Sequence, residues 1–510
     1  MAHKLSKFQK KIIKVYKKFN CNIFIKAGPG SGKTFIITQL VKMTPRYKKG
    51  LITAFNKAIQ EDLSKKIVLP NMKVSTLHSL GLSILRYNKP DKYKITSSKI
   101  WILCKMNLNL LVFKDEGERN AHLIIVCKLV DLFRMNLGST KEDLVNLSDQ
   151  YNVMASSAQI NDAMYIVEKM GEYNEGMHEE FMIDFVDMIY LPVTMIRKRL
   201  FPKYDVVFID EVQDLNPLQK RLVDNCIKPK GRFIAVGDEK QAIYSFMGSN
   251  LDSFNEFSER EDTKILPLSI SYRCSKKIVD EANKVFPGLK AHEEAPDGVV
   301  RNGDLSEAQD GDFIICRNNL PLVSAFIQLL KQNKKCYIMG KDYGTGLVLV
   351  LNKIKKHPTF GVGRKAVLDE VKEKLKEKGV TNPRSHPSYQ KVFERTEILA
   401  ILMTEFLSIN KVEEIIEELF SDGEDGGIRL STIHKSKGLE ADKIFFLNRE
   451  LIPSEYAVTE LELYQEKCLK FVAVTRAISE LIYCKIKVPK KPNKRAKRIE
   501  TRRNPNLNNL

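Results

Sequence analysis

Short apolar runs that end abruptly in polar residues recur along the chain. Ile23–Ile25, Val206–Ile209 and Phe233–Val236 are examples, and glycine or an acid follows each of them closely. Runs of this length are typical of buried strands in a parallel sheet. The carboxyl ends of parallel strands meet at one edge of the sheet, where ligands bind in open α/β folds. The pattern therefore predicts an α/β fold with a binding site at that edge.

Two long stretches interrupt the alternation of strands and helices, and both show a helical, charged pattern. The alternation resumes after each, which predicts two α/β domains with parallel sheets, each carrying a mainly helical insertion. The predicted division is residues 1–85 and 200–262 for the first α/β domain, 86–199 for its insertion, 263–343 and 426–488 for the second α/β domain, 344–425 for its shorter insertion, and 489–510 for a basic, disordered tail.

A glycine-rich loop lies between the first predicted strand and a helical pattern. Its residues are Ala27, Gly28, Pro29, Gly30, Ser31, Gly32, Lys33 and Thr34. This is a Walker A sequence with alanine at the first glycine position. Its backbone N–H groups would converge on phosphate oxygens, helped by the positive end of the following helix. Lys33 would neutralise the β- and γ-phosphates, and Thr34 would bind Mg²⁺.

Acidic and amide side chains follow the other two strands. Asp210 and Glu211 end the Val206–Ile209 run, and Gln241 lies shortly after the Phe233–Val236 run. Hydrolysis of ATP needs a ligand for Mg²⁺ and a group that accepts the proton of the attacking water. We expect Asp210 to serve as the metal ligand, Glu211 to serve as the base, and Gln241 to contact the γ-phosphate.

Composition narrows the class of partner. The 510 residues include 83 basic and 63 acidic ones, a net charge of +20, which favours a polyanion such as nucleic acid. The nine cysteines form no CxxC pair, which is typical of reduced thiols rather than of a disulfide framework or a zinc site. The N-terminal sequence lacks the apolar core of a signal peptide, and no apolar run is long enough to span a bilayer. We expect an intracellular protein with no membrane association, in the cytoplasm or, in a eukaryotic cell, the nucleus.

Further segments, taken in order, give the chain a family resemblance. They are LSKFQKKI at Leu5–Ile12, TAFNKAI at Thr53–Ile59, STLHSLG at Ser75–Gly81, SYRCS at Ser271–Ser275, LSTIHKSKGLEAD at Leu430–Asp442 and KFVAVTRA at Lys470–Ala477. With the Walker elements, they resemble the motifs of the UvrD/Rep/PcrA group of superfamily 1 DNA helicases. The match runs over nearly the whole chain, and the order of the motifs makes it specific.

The resemblance assigns roles to individual residues. It implies two RecA-like motor domains that bind Mg²⁺-ATP, with Gln9 and Tyr272 at the adenine and Glu440 near the ribose or phosphates. Arg273 and Arg476, both in the predicted second α/β domain, would reach across a cleft as arginine fingers. The positions expected to contact DNA are Phe55, His78, Tyr244, Phe246 and His434. The segment Asp184–Asp187 resembles an acidic segment of the family's first insertion, for which we expect a structural role.

The expected function is an ATP-driven DNA helicase that moves 3′→5′ on single-stranded DNA. Its partners would be single strands, single/double-strand junctions and replication or recombination proteins, and the protein would be a monomer. The short second insertion and the composition suggest a compact phage or viral enzyme, in which case the compartment is the host cytoplasm. One alternative is a translocase that strips proteins from single strands and unwinds weakly. A second is a non-catalytic nucleic-acid-binding module, and RNA remains open as a substrate.

Overall fold

The computed structural model describes residues 5–54, 56–89, 92–113, 116–151, 153, 155–176, 181–243, 251–377, 383–385, 387–406, 408–420, 426–455 and 457–487. It divides into two compact units. The first is Met1–Val300 with Ala366–Gln390 and Ile452–Glu480, and the second is Arg301–Lys365 with Lys391–Leu451 and Leu481–Leu510. The predicted tail at 489–510 lies outside the described residues.

The strands are β1 Asn22–Ala27, β2 Gly50–Ala54, β3 Met72–Thr76, β4 Tyr93–Ile95, β5 Phe181–Ile183, β6 Tyr204–Ile209, β7 Ile227–Gly237, β8 Thr263–Leu268, β9 Ile270–Ser271, β10 Lys290–Ala291, β11 Val299–Asn302, β12 Phe313–Cys316, β13 Cys336–Ile338, β14 Ile428–Thr432, β15 Ala441–Leu447 and β16 Ala477–Cys484.

The helices are α1 Lys7–Lys18, α2 Lys33–Lys42, α3 Lys57–Lys66, α4 Leu77–Asn88, α5 Lys99–Asn107, α6 Glu116–Met135, α7 Lys141–Gln150, α8 Ser157–Glu175, α9 Asp187–Met195, α10 Pro217–Cys226, α11 Leu251–Glu259, α12 Lys276–Asn283, α13 Asn319–Lys331, α14 Lys341–Ile354, α15 Phe360–Glu377, α16 Pro387–Phe406, α17 Ile409–Leu419 and α18 Glu460–Val474. Among the described residues, no helix is both long and apolar enough to cross a membrane.

The first sheet has six strands in the order β3-β2-β6-β7-β1-β8, and its neighbouring strands pair in parallel. Alternate residues of each strand pack into separate cores. Val207 and Ile209 join one core, and Val206 and Phe208 join the other. Both faces are covered, which explains why these strands are continuous apolar runs. The second sheet has the order β11-β16-β15-β12-β14-β13, with β12, β14, β15 and β13 paired in parallel. The α/β class with parallel sheets is confirmed.

The predicted start of the second α/β domain at residue 263 is wrong. Strand β8, which begins at Thr263, pairs with β1 along its whole length. Leu266 and Leu268 of β8 are buried in the same core as Ile23 and Ile25. The first sheet therefore extends to residue 268, because the open edge beside β1 accepts one more parallel strand.

Within the predicted first insertion, helices α5–α8 surround an apolar core of their own, and a buried ionic cluster links them to the start of α9. The Arg134 guanidinium donates hydrogen bonds to Asp184 Oδ2 and Asp187 Oδ1, both at 2.8 Å. Lys99 Nζ donates to Asp187 Oδ2 at 2.7 Å and to Asn174 Oδ1 at 2.9 Å. Because buried charges are costly unless paired and hydrogen-bonded, this cluster fixes the segment Asp184–Asp187. That geometry supports the structural role expected for it.

Two helical glycines differ sharply in the space beside them. A Cβ on Gly81 in α4 would lie 2.2 Å from the carbonyl oxygen of Met188 in α9, whereas nothing lies within 4 Å of a Cβ on Gly171 in α8. Only glycine therefore allows α4 and α9 to approach so closely.

We predict that Gly81→Ala lowers the free energy of unfolding by roughly 1–3 kcal/mol, since backbone cannot move aside as a flexible side chain can. The matched control Gly171→Ala should raise it by roughly 0.5–1 kcal/mol, because alanine restricts the unfolded chain more than glycine does. Urea denaturation midpoints measure both effects. Equal midpoints for the two variants would contradict the close packing of α4 on α9.

Candidate nucleotide site

The Walker A loop connects β1 to α2 and depends on glycine at two positions. Gly30 has φ = 65° and Gly32 has φ = 83°, in the left-handed region that favours glycine. A Cβ on Gly30 would also lie 2.4 Å from Cβ of Arg273. Ser31 is buried, and its hydroxyl donates to the carbonyl oxygen of Gly28 at 2.7 Å. The loop thus leads into the N-terminus of α2, which is an anion-binding end.

Lys33, the first residue of α2, forms an ion pair with Glu211. Its Nζ lies 2.6 Å from Glu211 Oε1, and both side chains are largely buried. Burial opposes the charge of Lys33, but Glu211, Asp210 and Asp238 together raise its pKa above the ordinary value. The ammonium group is therefore held charged at the entrance to α2, where a phosphate would be neutralised.

Asp210 and Glu211 follow β6, as the sequence predicted. Burial, followed by repulsion from Glu211, raises the pKa of Asp210 to about 7. Glu211 has φ = 50°, and its backbone N–H donates to Asp210 Oδ1 at 3.0 Å. The two carboxyl groups can carry more negative charge than the Lys33 ammonium group neutralises, so the residues fit a bound divalent cation. Asp210, together with Thr34 in the first turn of α2, would hold Mg²⁺.

Two glutamine side chains extend the site from β6 to β7. Gln213 Nε2 donates to Glu211 Oε2 at 2.5 Å, and Gln213 Oε1 accepts from the backbone N–H of Asp238 at 3.0 Å. Gln241 Nε2 then donates to Asp238 Oδ2 at 2.7 Å. Burial raises the pKa of Asp238. Sequence reasoning missed Gln213, although it lies in the same IDEVQD segment as Asp210.

Arg476 joins the far end of this chain of hydrogen bonds. Its Nη2 donates to Gln241 Oε1 at 3.4 Å, and its Nε donates to the carbonyl oxygen of Val472 at 3.1 Å. Arg273 Nη1 lies nearby and donates to the carbonyl oxygen of Thr475 at 3.5 Å. Both guanidinium groups are thus within the same part of the molecule as the Walker residues.

The assignment of these arginines to a second α/β domain stays a prediction, because the compact units and the two sheets divide the chain differently. Residues 452–480 lie in the first unit. Helix α18 contacts that unit through Cys468, whose Sγ lies 3.8 Å from the carbonyl oxygen of Glu239, and through the ring of Phe471, 5.6 Å from that of Phe286. Arg476 nevertheless directly precedes β16, a strand of the second sheet.

Gln9 and Tyr272 both lie beside the Walker loop. Gln9 is buried, and its Nε2 would lie 3.3 Å from a Cβ on Gly32. The Tyr272 backbone N–H donates to the carbonyl oxygen of Gly30 at 2.8 Å. Its ring packs on that of His292 at 4.8 Å, because β9 and β10 pair in parallel. Sequence reasoning missed His292, since only this pairing brings it to Tyr272. The adenine-binding role of Gln9 and Tyr272 stays a prediction.

The residues expected to contact DNA are only partly described. Phe55, Tyr244 and Phe246 lie outside the described residues. His78 lies in α4, where burial lowers its pKa, and its ring packs edge-on against that of Phe185 at 6.2 Å. Phe185 is 59% exposed. The sequence analysis did not name this exposed aromatic as a candidate site residue, although it lies within the acidic segment Asp184–Asp187 that the sequence singled out.

The remaining two predicted site residues lie in the second unit. Burial and Arg317 lower the pKa of His434 to about 4. The carbonyl oxygen of Glu440 accepts from Arg429 Nη2 at 3.4 Å. The roles of both residues stay predictions.

Comparisons with known proteins agree with the geometry. The family model described as the UvrD/REP helicase N-terminal domain matches residues 5–262, and the UvrD-like helicase C-terminal domain matches residues 365–487. The ATP-dependent DNA helicase Rep of Buchnera aphidicola subsp. Acyrthosiphon pisum (strain APS) is 29% identical over 285 residues, covering 51% of this chain and 42% of that protein. The Rep helicase of Escherichia coli (strain K12) is 28% identical over 280 residues, covering 50% and 40%.

A longer alignment is found with F-box DNA helicase protein 1 of Schizosaccharomyces pombe (strain 972 / ATCC 24843). The two proteins are 26% identical over an alignment of length 510, which covers 90% of this chain and 55% of that protein. The chain thus spans about half the length of the curated relatives it matches. The crystal structure of Arterivirus nonstructural protein 10 (helicase) covers 93% of this chain and 61% of its own at 11% identity, but its TM-score of 0.34 is too low to support an argument. Since the N-terminal family model alone matches half of the sequence, the chain belongs to the UvrD/REP helicase family.

Proposed function

We propose that this chain is an ATP-driven motor that moves 3′→5′ along single-stranded DNA and separates duplex DNA, with Mg²⁺-ATP hydrolysis as its energy source. The observation that carries the proposal is the run of contacts from Lys33 through Glu211, Gln213, Asp238 and Gln241 to Arg476. It joins the groups needed for phosphate binding, water activation and charge stabilisation in one site. The relatives named ATP-dependent DNA helicase support DNA as the partner.

The protein groups divide the chemical work. Lys33 and the N-terminus of α2 attract the phosphates, which compete with Glu211 for the ammonium group. Glu211, once free of Lys33, accepts the proton of the attacking water. Arg476 and Arg273 offer planar donors that suit the charge developing on phosphate oxygens. When bound, Mg²⁺ supplies charge neutralisation at the phosphates.

Contact with DNA is expected at the carboxyl ends of the strands of the first sheet, the edge that also carries the nucleotide site. His78 lies just beyond β3 of the first sheet, and the exposed ring of Phe185, which packs against His78, offers a stacking surface to an unpaired base. In the sequence, Gln241 is followed three residues later by Tyr244 and then by Phe246, which lie outside the described residues. That position suits a residue that relates nucleotide state to the DNA strand.

We predict that Glu211→Gln keeps ATP binding and slows hydrolysis on the order of 10²–10⁴-fold, because the amide cannot accept the proton. Lys33→Ala should instead lose ATP binding. Steady-state ATPase assays and equilibrium binding of a fluorescent ATP analogue separate the two effects. The control Glu172→Gln changes a solvent-exposed glutamate in α8 and should leave both measurements unchanged. Normal turnover in Glu211→Gln would remove Glu211 from the role of base.

We also predict ATP-dependent displacement of a strand from a duplex with a 3′ single-stranded tail, and none from a duplex with a 5′ tail. Polarity is measured with labelled duplexes of each kind, in DNA and in RNA. The Glu211→Gln variant, in which ATP hydrolysis is slowed, serves as the control for strand separation that does not depend on hydrolysis. Displacement from the 5′-tailed DNA alone would contradict the polarity. Removal of a bound protein from single strands without duplex separation would favour the weakly unwinding translocase instead.

A further inference from the structure

We propose that the amino-terminal edge of the first sheet carries a second binding site for single-stranded DNA, separate from the nucleotide site. The site comprises the turn Pro45–Lys48 with Lys49, together with Lys73 at the start of β3. It rests on the proposed function in one respect, which is the choice of DNA as the polyanion.

The location separates this surface from the groups already described. Strands β2, β3 and β6 begin at Gly50, Met72 and Tyr204, and they are neighbours in the sheet. The Walker loop, Asp210 and Glu211 lie at the opposite, carboxyl ends. A strand of five residues such as β2 spans roughly 17 Å. A single bound ATP therefore cannot contact both the Walker loop and the amino-terminal edge.

A cavity of about 450 Å³ lies at this edge. The lining residues that matter are Arg46, Tyr47, Lys49, Asn71, Lys73 and Tyr204, and none of the described residues that line the cavity carries a carboxylate. Arg46, Lys49 and Lys73 are exposed, and none of them forms an ion pair within the part of the chain that the structure describes. Uncompensated cations around a concave surface attract a polyanion.

The turn that presents Arg46 and Tyr47 is held from both sides. The Lys48 backbone N–H donates to the carbonyl oxygen of Pro45 at 2.9 Å. Asn71 Nδ2 donates to the carbonyl oxygens of Lys48 at 2.7 Å and of Pro45 at 3.3 Å. The side chains at the tip therefore project from an ordered backbone, which lowers the conformational entropy lost on binding.

Asp205 is the acid that borders the turn, and its charge is already matched. Its Oδ2 accepts from the Lys49 backbone N–H at 2.9 Å, and its Oδ1 accepts from Lys228 Nζ at 2.8 Å. Asp205 thus fixes the backbone of the turn and leaves the Arg46 and Lys49 side chains available to phosphate groups.

Tyr47 indicates a single strand rather than a duplex. Its side chain is 83% exposed at the tip of the turn, between two cations. Aromatic faces among cations are typical of single-strand sites, because unpaired bases can stack on them whereas a duplex hides its base faces.

The test compares salt dependence and base stacking separately. Fluorescence anisotropy with a labelled single-stranded DNA gives the affinity of the full chain at several salt concentrations. The triple variant Arg46→Gln, Lys49→Gln, Lys73→Gln should make the slope of log affinity against log salt shallower by about 2, since each lost phosphate contact removes about 0.7. Tyr47→Ala should weaken binding about tenfold, and Tyr47→Phe should restore it, because phenylalanine keeps the stacking face.

The matched control is Lys356→Gln, Lys365→Gln, Lys391→Gln, which removes the same charge from exposed lysines of other helices and turns. Its slope should remain that of the wild type. An unchanged slope in the first triple variant, or an equal change in the control, overturns the site. Normal binding by Tyr47→Ala, or a loss confined to a duplex of the same length, overturns the single-strand assignment.

Strand displacement by the wild-type protein is recorded in parallel with these titrations. Failure of displacement counts against the proposed motor, whereas the differences between variants test the second site independently. Circular dichroism reports whether the triple variant is folded. If it is not, the Tyr47→Ala and Tyr47→Phe pair decides the proposal, because a change on this exposed turn leaves the backbone hydrogen bonds intact.

Discussion

The ion pair between Lys33 and Glu211 is the interaction on which the arrangement of the nucleotide site depends. Three carboxylates, Asp210, Glu211 and Asp238, lie near a single ammonium group, and burial raises the pKa of both aspartates. Removing one partner of a buried pair leaves an uncompensated charge, which is strongly destabilising. A bound phosphate would compete with Glu211 for the Lys33 ammonium group, and a divalent cation would offset the negative charge of the carboxylates. The charge balance of the site therefore favours binding of a phosphate together with a cation.

The parallel sheet determines where the acidic and glycine-rich loops lie and where the basic segments lie. Because all strands of the first sheet run in one direction, the loops that carry acids and glycines gather at the carboxyl ends. The turns before the strands and the first residues of the strands gather at the other edge, and they are rich in Lys and Arg: Arg46, Lys48, Lys49, Lys73 and Lys228. The first insertion is tied to this framework by the buried cluster around Arg134 and by the contact that Gly81 permits between α4 and α9.

Local chemistry was predictable from the sequence, and long-range placement was not. The Walker loop and the acids after β6 were predictable because each directly follows a short apolar strand in the sequence. No contact with a distant segment is needed to identify them. Strand β8 was assigned to the wrong sheet, since its apolar pattern suits any open parallel edge. His292 reaches Tyr272 through the pairing of β9 with β10, a contact that no local pattern encodes. Arg476 was named only through the family resemblance, because the packing of α18 that carries it to Gln241 is likewise absent from the local pattern.

The two glutamines explain how like charges can be joined in one buried chain of hydrogen bonds. Gln213 must donate to a carboxylate at one end and accept from a backbone N–H at the other, and an amide does both. A Cβ on residue 237 would lie 2.5 Å from Gln213 Oε1, so Gly237 is what lets this amide reach Asp238. Gln241 repeats the arrangement, donating to Asp238 and accepting from Arg476. A glutamate at either position would set two carboxylates against each other, and a lysine would offer no acceptor. The amides therefore connect the carboxylate of Glu211 to the guanidinium of Arg476 without adding negative charge to a site that already holds three carboxylates.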